Sequence, residues 1–588
     1  MKRIRAITTA VQKNPSSRQF RWGAAALTAL AVIAAGCGTS SGGGGGSGSS
    51  SSPSATAAAN HKGGTFTILA NSSFGVADPA QNYTLEEWQL LINTHDGLTQ
   101  FKRVGGVEGT KIVPDLATEL PTPTDGGKTY VFHIRSGIQF SDGTTLKPSD
   151  FVRTFQRQFT VPGPTSFYSG IVGADKCSTK KCDLSKGVVA DDSAMTLTIH
   201  LTAPDTEFFD KLALPFAYAV PGNTPLKLQG NNVPPGTGPY MWKSYDPNKA
   251  AVLVRNPHFK LWSKDAQPEG YPDQIIEKYG LPISEEVTQV ENGQADEVFD
   301  GDVIPSDRLN ELNSPQFQNQ VHVNPLTADW YFALNTRTPP FNNLKARQAI
   351  NYAFDRKAAV QLAGGSSLAV PTCQILPPNF PGYTQYCPYT ANAAPDGAGD
   401  WTAPDIAKAK QLVQQSGTAG QSVVVNTDGP DKPFGEQMVA DLTKIGYKAK
   451  LVVLSGSIQY PFVQNSKNLD KWSVAWSAWY QDYPAPSDFL NVLLGCGSIH
   501  PNSDASPNIA EFCDKDIQAK MDKALETGVT DPDAANQLWA EVDHEVTDQA
   551  PWVDMYNPKQ IDFTSKRVQG YQWSPQWYIL YDQLWLQQ

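Results

Sequence analysis

The stretch Trp330 to Val360, WYFALNTRTPPFNNLKARQAINYAFDRKAAV, narrows the possible folds more than any other part of the chain. Its apolar run, Tyr331 to Leu334, has the length of a buried strand. Asn335 to Pro340 ends in two prolines, which exclude both a helix interior and a central strand. Asn342 or Asn343 can then cap a helix, because a short polar side chain accepts from the free N–H groups of the first turn. Ala346, Ile350, Phe354 and Ala358 recur at four-residue spacing and predict one apolar face along that helix. A strand, a proline turn and an amphipathic helix in this order make a unit of an α/β domain.

The same grammar recurs on both sides. Gly64 to Ala70 (GTFTILA) alternates as a strand, Asp78-Pro79 is a turn, and Leu85 to Ile92 reads as a helix before a strand at Leu98-Thr99. Tyr130, Phe132 and Ile134 share one strand face. Pro148 opens a helix with Phe151, Val152 and Phe155 on its stripe, and Met195 to Leu201 alternates again. His133 and His200 fall mid-strand, where half-buried side chains are expected rather than ligands. Farther on, Pro404 opens a helix that stops at Gly417, and Ser422 to Asn426 is a β-branched strand. A helix striped by Phe434, Met438, Leu442 and Ile445 follows, then a strand from Lys448 to Leu454. A strand–helix–strand of this length implies parallel pairing with a right-handed crossover.

Residues 1–36 stand apart. Six basic residues precede an apolar run, Gly23 to Ala35, that is too short to span a bilayer and ends in small residues before Cys37. This is the pattern of an export signal. Residues 38–59 are Gly, Ser, Ala and Thr with one proline and no charge, a composition that cannot offset its ordering entropy and serves as a tether. Removing residues 1–36 takes six basic and no acidic residues, and the formal net charge moves from −11 to −17. Nucleic acid is therefore excluded as a partner, as is an anionic lipid surface.

Cys177, Cys182, Cys373, Cys387, Cys496 and Cys513 form three sequence-close pairs in loop-like segments. Six cysteines allow 15 connectivities, and proximity favours 177–182, 373–387 and 496–513. Disulfides suit an exported chain. A zinc site would need clustered histidines or CxxC spacing, and neither occurs, so no metal and no cofactor is expected. Beyond the tether, G-x-S-x-G and H-E-x-x-H are absent, which leaves an exported hydrolase as the remote alternative.

The densest chemistry lies in Trp472 to Leu490, WSVAWSAWYQDYPAPSDFL. Trp472, Val474 and Trp476 alternate as a strand, and the aromatics thicken where that strand should end. Open α/β sheets bind ligands beyond the carboxyl ends of their strands. Tyr and Trp offer apolar area with a polar handle, and Asp482 offers a fixed negative charge. Taken on residues alone, the aromatics read as packing and Asp482 as a solvated turn residue.

Whole strings go further. GTFTIL…DP…DGLTQF, VPDLAT…YVFHIRSGIQFSDGTTLKPSDFV, GTGPY at Gly236 to Tyr240, VLVRNPHF, and FALNTR–PPF–ARQAINYAFDRK resemble, in order, the signatures of the family 5 extracytoplasmic solute-binding proteins, the peptide receptors of ABC importers. Ala-Ala-Gly-Cys, ending at Cys37, resembles the lipobox of bacterial lipoproteins, with Ala34 where that pattern usually has a larger aliphatic. The resemblance implies an α/β, two-lobed periplasmic-binding-protein-like fold with a hinge and an additional inserted domain, in which the domains are discontinuous (class II). Residues 1–36 are then the signal peptide and 37–61 the tether. Domain I is 62–100 with 236–327 and 556–588, domain II is 101–235, and domain III is 328–555. It further implies a monomeric receptor, exported and lipid-anchored through Cys37 to the outer face of the cytoplasmic membrane. Such a receptor captures di- or oligopeptides and delivers them to permease subunits. Oligosaccharide, opine-like compound or metal chelate is the alternative solute. Trp479, Asp482 and Tyr483 match the family's Trp-x-x-Asp-Tyr element, whose Asp pairs the peptide α-amino group, and this places Trp476 and Tyr480 beside the ligand as well. The family usually has an acid where Ala485 stands.

Overall fold

The computed structural model describes residues 61–587, apart from 74, 162–164, 300, 303 and 505. The expected signal, tether and Cys37 lie outside the described residues. A 12-stranded mixed sheet carries the architecture. Its strands are β1 (Thr65–Ala70), β2 (Tyr240–Asp246), β3 (Ala250–Arg255), β4 (Gln274–Tyr279), β5 (Glu297–Val298), β6 (Val321–Pro325), β7 (Ala328–Leu334), β8 (Ala369–Pro371), β9 (Ser422–Thr427), β10 (Lys448–Val453), β11 (Val474–Tyr480) and β12 (Trp552–Thr564). They run in the order β10-β9-β11-β7-β12-β5-β1-β4-β3-β2, with β6 and β8 also on β12.

The 13-residue β12 joins the two halves of this sheet. Its first residues pair antiparallel with β7, and its last pair with β6 and β5. One strand therefore serves both halves, and the 555/556 boundary falls within it. In the C-terminal half, β9 is parallel to both β10 and β11, as the strand–helix–strand pattern requires. A separate three-stranded antiparallel sheet, Thr129–His133 with Thr196–His200 and Val188–Asp191, is covered by the helix Pro148–Thr160. Phe151 and Phe155 of that helix are fully buried, each such ring contributing about 1.5–3 kcal/mol.

The described cysteines pair 177–182, 373–387 and 496–513. Arg157 donates twice to Asp78, at 2.8 and 2.6 Å, and both are buried. The GTGPY loop is glycine-rich because the chain passes tightly over the 93–95 turn. A Cβ at Gly236 would stand 2.1 Å from the Thr94 carbonyl oxygen, and one at Gly238 would stand 2.7 Å from that of Asn93.

Four local expectations change. The helix of the central unit is two helices, Leu344–Ala353 and Arg356–Leu362. Asn343 caps the first, accepting from the Lys345 N–H at 3.0 Å. Asp355 caps the second, accepting from Ala358 N–H at 3.0 Å. A capping carboxylate competes with helix continuation, so Phe354 is extended and Ala358 leaves the fully buried face. Trp472 precedes β11 and packs in a different core cluster from Val474 and Trp476. The helix expected at Pro404 begins at Ile406, with Asp405 as its cap. His133 is exposed, since its edge of the small sheet faces solvent, whereas His200 is half-buried with Nδ1 3.1 Å from Thr129 Oγ1.

Candidate functional site

Strand β11 passes from core to surface along its length. Val474 to Ser477 are buried, Ala478 and Trp479 half-buried, and Tyr480 is 43% exposed. The chain then turns through Gln481 to Pro486 into the helix Ser487–Leu494. This turn is fixed from the far end of the sequence. Gln481 Nε2 donates to the Pro575 carbonyl at 2.8 Å, and Gln576 Nε2 donates to the Asp482 carbonyl at 3.1 Å.

Two carboxyls meet there. Asp488, in the first turn of its helix, accepts through Oδ2 from the Asp482 N–H at 2.9 Å and from Trp479 Nε1 at 3.2 Å. Its Oδ1 is buried without a partner. Asp482 is half-buried, and its Oδ1 accepts from the Tyr83 hydroxyl at 2.7 Å. Neither carboxyl is ion-paired with a described Lys, Arg or His. Burial pushes Asp482 up to about 7 against the relief of the Tyr83 bond. Asp488 is raised well above the ordinary range, first by burial and then by the Asp482 charge. Two desolvated carboxyls, one accepting from the other residue's backbone N–H and raised by its charge, make a place where positive charge is favoured.

The rest of this surface comes from the small-sheet region. Tyr483 is buried and donates to Glu207 Oε2 at 3.2 Å; Ser487 Oγ donates to Glu207 Oε1. Lys211 Nζ stands 5.7 Å from the Tyr483 ring centre and pairs with Asp205 at 2.8 Å. Phe167 meets both Tyr83 and Tyr483 edge-on, at 6.0 and 6.4 Å.

Of the expected ligand residues, Asp482, Trp479 and Tyr480 reach the partly open rim, while Trp476 and Tyr483 are buried among packed side chains. Sequence reasoning passed over Tyr83, Glu207 and Asp488. The first two carry no local signal, because folding brings them from 399 and 276 residues away. Asp488 had one: it lies six residues after Asp482, in the first turn of a helix opened by Pro486. Among the described residues no group of three or more metal-ligating side chains is gathered, and no helix is long and apolar enough to cross a membrane.

Known proteins share this chain's plan. It is 27% identical over 513 residues to heme-binding protein A of Haemophilus influenzae, covering 82% of this chain and 84% of that one. It is 25% identical over 543 residues to the periplasmic oligopeptide-binding protein OppA of Escherichia coli, covering 86% and 93%. Among solved structures, the clavulanic acid biosynthesis oligopeptide binding protein 2 superposes with a TM-score of 0.80 at 22% identity, over 90% of this chain and 96% of that one. DppA of Helicobacter pylori, in complex with the peptide STSA, gives 0.66 at 20% identity, over 91% and 100%. The fold is the two-lobed α/β fold of these binding proteins, with one strand crossing between the halves. The model of bacterial extracellular solute-binding proteins, family 5, matches residues 111–501, and the chain belongs to that family of binding proteins, which are not enzymes.

Proposed function

We propose that this protein is a peptide receptor of an ABC importer, in which the Asp482 carboxylate pairs with the ligand's α-ammonium as the lobes shut. The observation that carries this is the Asp482/Asp488 pair: two carboxyls, one partly open, with no described cation to answer them. A peptide amino terminus supplies the missing charge. The heme named for one relative bears two carboxylates of its own, which this pair would repel. Trp479 and Tyr480 then flank the ligand, with Tyr483 and Trp476 supporting them from the packed side.

The ligand contacts both lobes only when they are closed, so it stabilises closure by that difference in affinity. The contacts of Tyr83 and Glu207 with the 482–487 turn are those expected of the shut state. We divide the chain into domain I (62–100, 236–327, 556–588), domain II (101–235) and domain III (328–555). Export, cleavage and lipidation at Cys37 would hold the receptor beside its permease. Changing Cys37 to Ser should then free the protein from the membrane or leave it unprocessed.

Calorimetry on a two-by-two cycle tests the ligand reading. A charge-assisted bond contributes about 1.5–3 kcal/mol, so Asp482→Asn should weaken a free-amine peptide about tenfold to a hundredfold. N-acetylation of the peptide should weaken wild-type binding by as much and add little to the Asn variant, since both changes remove one interaction. Additive losses would show that Asp482 is not the ammonium partner.

A further inference from the structure

Both backbone polar groups of Asp482 are held by side chains rather than by a strand or a helix. Its N–H donates to Asp488 Oδ2 at 2.9 Å, and its carbonyl accepts from Gln576 Nε2 at 3.1 Å. Asp488 is close in the chain. Gln576 comes from 94 residues away, at the tip of the hairpin formed by Trp573–Ser574 and Tyr578–Ile579.

That tip is built to hold the Gln576 amide in place. Ser574 Oγ accepts from the N–H groups of both Gln576 and Trp577, at 3.3 Å each. Tyr578 then takes a left-handed backbone, φ 55°, which is uncommon for a bulky residue and is kept where the surroundings impose it. Its ring stacks on Trp573 at 6.1 Å. Gln576 is fully buried, and it accepts from Gln481 Nε2 at 3.0 Å while donating to Asp482. An amide of this length does both; an ionised carboxylate could not donate, and an apolar chain could do neither.

The same node reaches the connection between the two halves of the sheet. Leu326 and Thr327 join β6 to β7, and the Leu326 N–H donates to the Pro558 carbonyl of β12 at 3.0 Å. Thr327 Oγ1 and Gln481 Nε2 both donate to the Pro575 carbonyl, at 3.3 and 2.8 Å. The Gln481 N–H donates to the Thr327 carbonyl at 3.1 Å. The turn at 481–482, the tip at 575–577 and the connection at 326–327 are thus one hydrogen-bonded unit, in which Gln481, Gln576 and Thr327 are all buried. The half-buried side chain of Asp482 is the part of this unit that reaches the rim.

We propose that Gln576 is a positioning residue for ligand capture: clasped to Gln481, it fixes the Asp482 main chain against the connection between the halves, so that the carboxylate meets an incoming α-ammonium already in place. This rests on the reading of Asp482 as the ammonium partner. An anchor that is ordered beforehand loses no affinity to being ordered on binding, and Gln576 acts through Asp482 alone.

Calorimetry on the purified protein tests this with a panel of di- to pentapeptides, the tightest of which is carried forward with its N-acetyl form. Gln576→Met keeps the length and removes both hydrogen bonds; Gln576→Glu keeps the acceptor and loses the donor. One net hydrogen bond corresponds to about threefold to tenfold, and each variant should weaken the free-amine peptide by that factor. The N-acetyl peptide should shift by less than about twofold, and Gln576→Met should add no more than that to Asp482→Asn, because both substitutions act on one interaction. A residue that only holds the fold together would weaken both peptides alike, or would cost as much with Asp482→Asn as with Asp482 in place. Either result overturns the positioning role and leaves the anchor standing. Urea titration checks that the variants fold; if neither does, Gln481→Met cuts the clasp from its other side and decides by the same criteria. If Asp482→Asn binds the free-amine peptide as tightly as wild type, or no peptide binds wild type, the anchor reading fails and the positioning role with it.

Discussion

Two pairs of carboxyls flank Trp479, and they are treated in opposite ways. Asp329 lies directly across from Trp479 in the β7–β11 register, and Asp554 comes from β12, where it is paired with Tyr331. Both are buried, burial raises both, and the Arg356 charge partly relieves them. That pair is sealed and, like the rim pair, has no ion-paired cation among the described residues, so its charge is met from within by protonation and by the nearby charge of buried Arg356. Asp482 and Asp488 sit on the other side of Trp479, where Asp482 is partly open and only a tyrosine hydroxyl donates to its side chain. A buried charge without a partner is costly, so an internal answer indicates architecture and its absence at a rim indicates a place for ligand charge.

The largest effect should come from removing the buried guanidinium of Arg356, whose charge relieves the sealed pair. Arg356 also donates to the Thr372 carbonyl at 2.6 Å and to Asn351 at 3.1 Å. Arg356→Met should therefore lower unfolding stability by about 3–5 kcal/mol in urea titration. A loss below about 1 kcal/mol would mean the proton alone keeps the Asp329/Asp554 pair, and the contrast would weaken. Asp482→Asn should do the reverse, costing about 1.4–2.8 kcal/mol of peptide affinity while the melting temperature holds or rises.

Acidity separates the pairs next. Carboxyls raised in the fold bind more protons folded than unfolded, between the unfolded value near 4 and the folded one. Stability is thus full below about 4 and is lost as pH rises. Asp96 at about 6 and Asp543 and Asp562 at about 7 add to Asp329 and Asp554 in this direction. Unfolding stability should fall from pH 5 to pH 8, by up to about 1.4 kcal/mol per pH unit for each proton released, and the melting temperature with it. A melting temperature that rises over that range would contradict the protonated interior. Affinity should move oppositely. Ligand ammonium needs the Asp482 anion, so binding should tighten as pH rises through about 7, then fade as the peptide amine titrates near 8. The smallest effect should be Tyr83→Phe, which removes the hydroxyl that donates to Asp482 and should weaken peptide binding by about 0.5–1.5 kcal/mol; unchanged affinity would make Tyr83 a bystander.

Legibility followed sequence distance. The strand at Tyr331 to Leu334, which the structure extends back to Ala328, a cap at Asn342 or Asn343, which falls on Asn343, and the parallel pairing of β9 with β10 were readable because period, capping chemistry and crossover handedness act over a few residues. The break at Phe354 was missed although Asp355 was visible, because the four-residue spacing ran through it unbroken and a cap can only be told from a surface acid once its N–H partner is placed. At the site, Asp482 was singled out by the aromatic stretch that contains it, while Tyr83 and Glu207 were invisible.

The sequence by itself determined the α/β class, the place of several strands such as Ser422–Thr427 and Lys448–Val453, and the kind of group the rim would offer, since these follow from local pattern and side-chain chemistry. Tertiary structure alone decided which of the aromatics in Trp472–Tyr483 became core. It also decided that one 13-residue strand would serve both halves, and which carboxyls would be answered and which left open. Those outcomes depend on how much water and which partners surround a group after chain segments hundreds of residues apart have packed. Desolvation, which sets the energy of every buried charge here, belongs to that packing and leaves no trace in the local sequence.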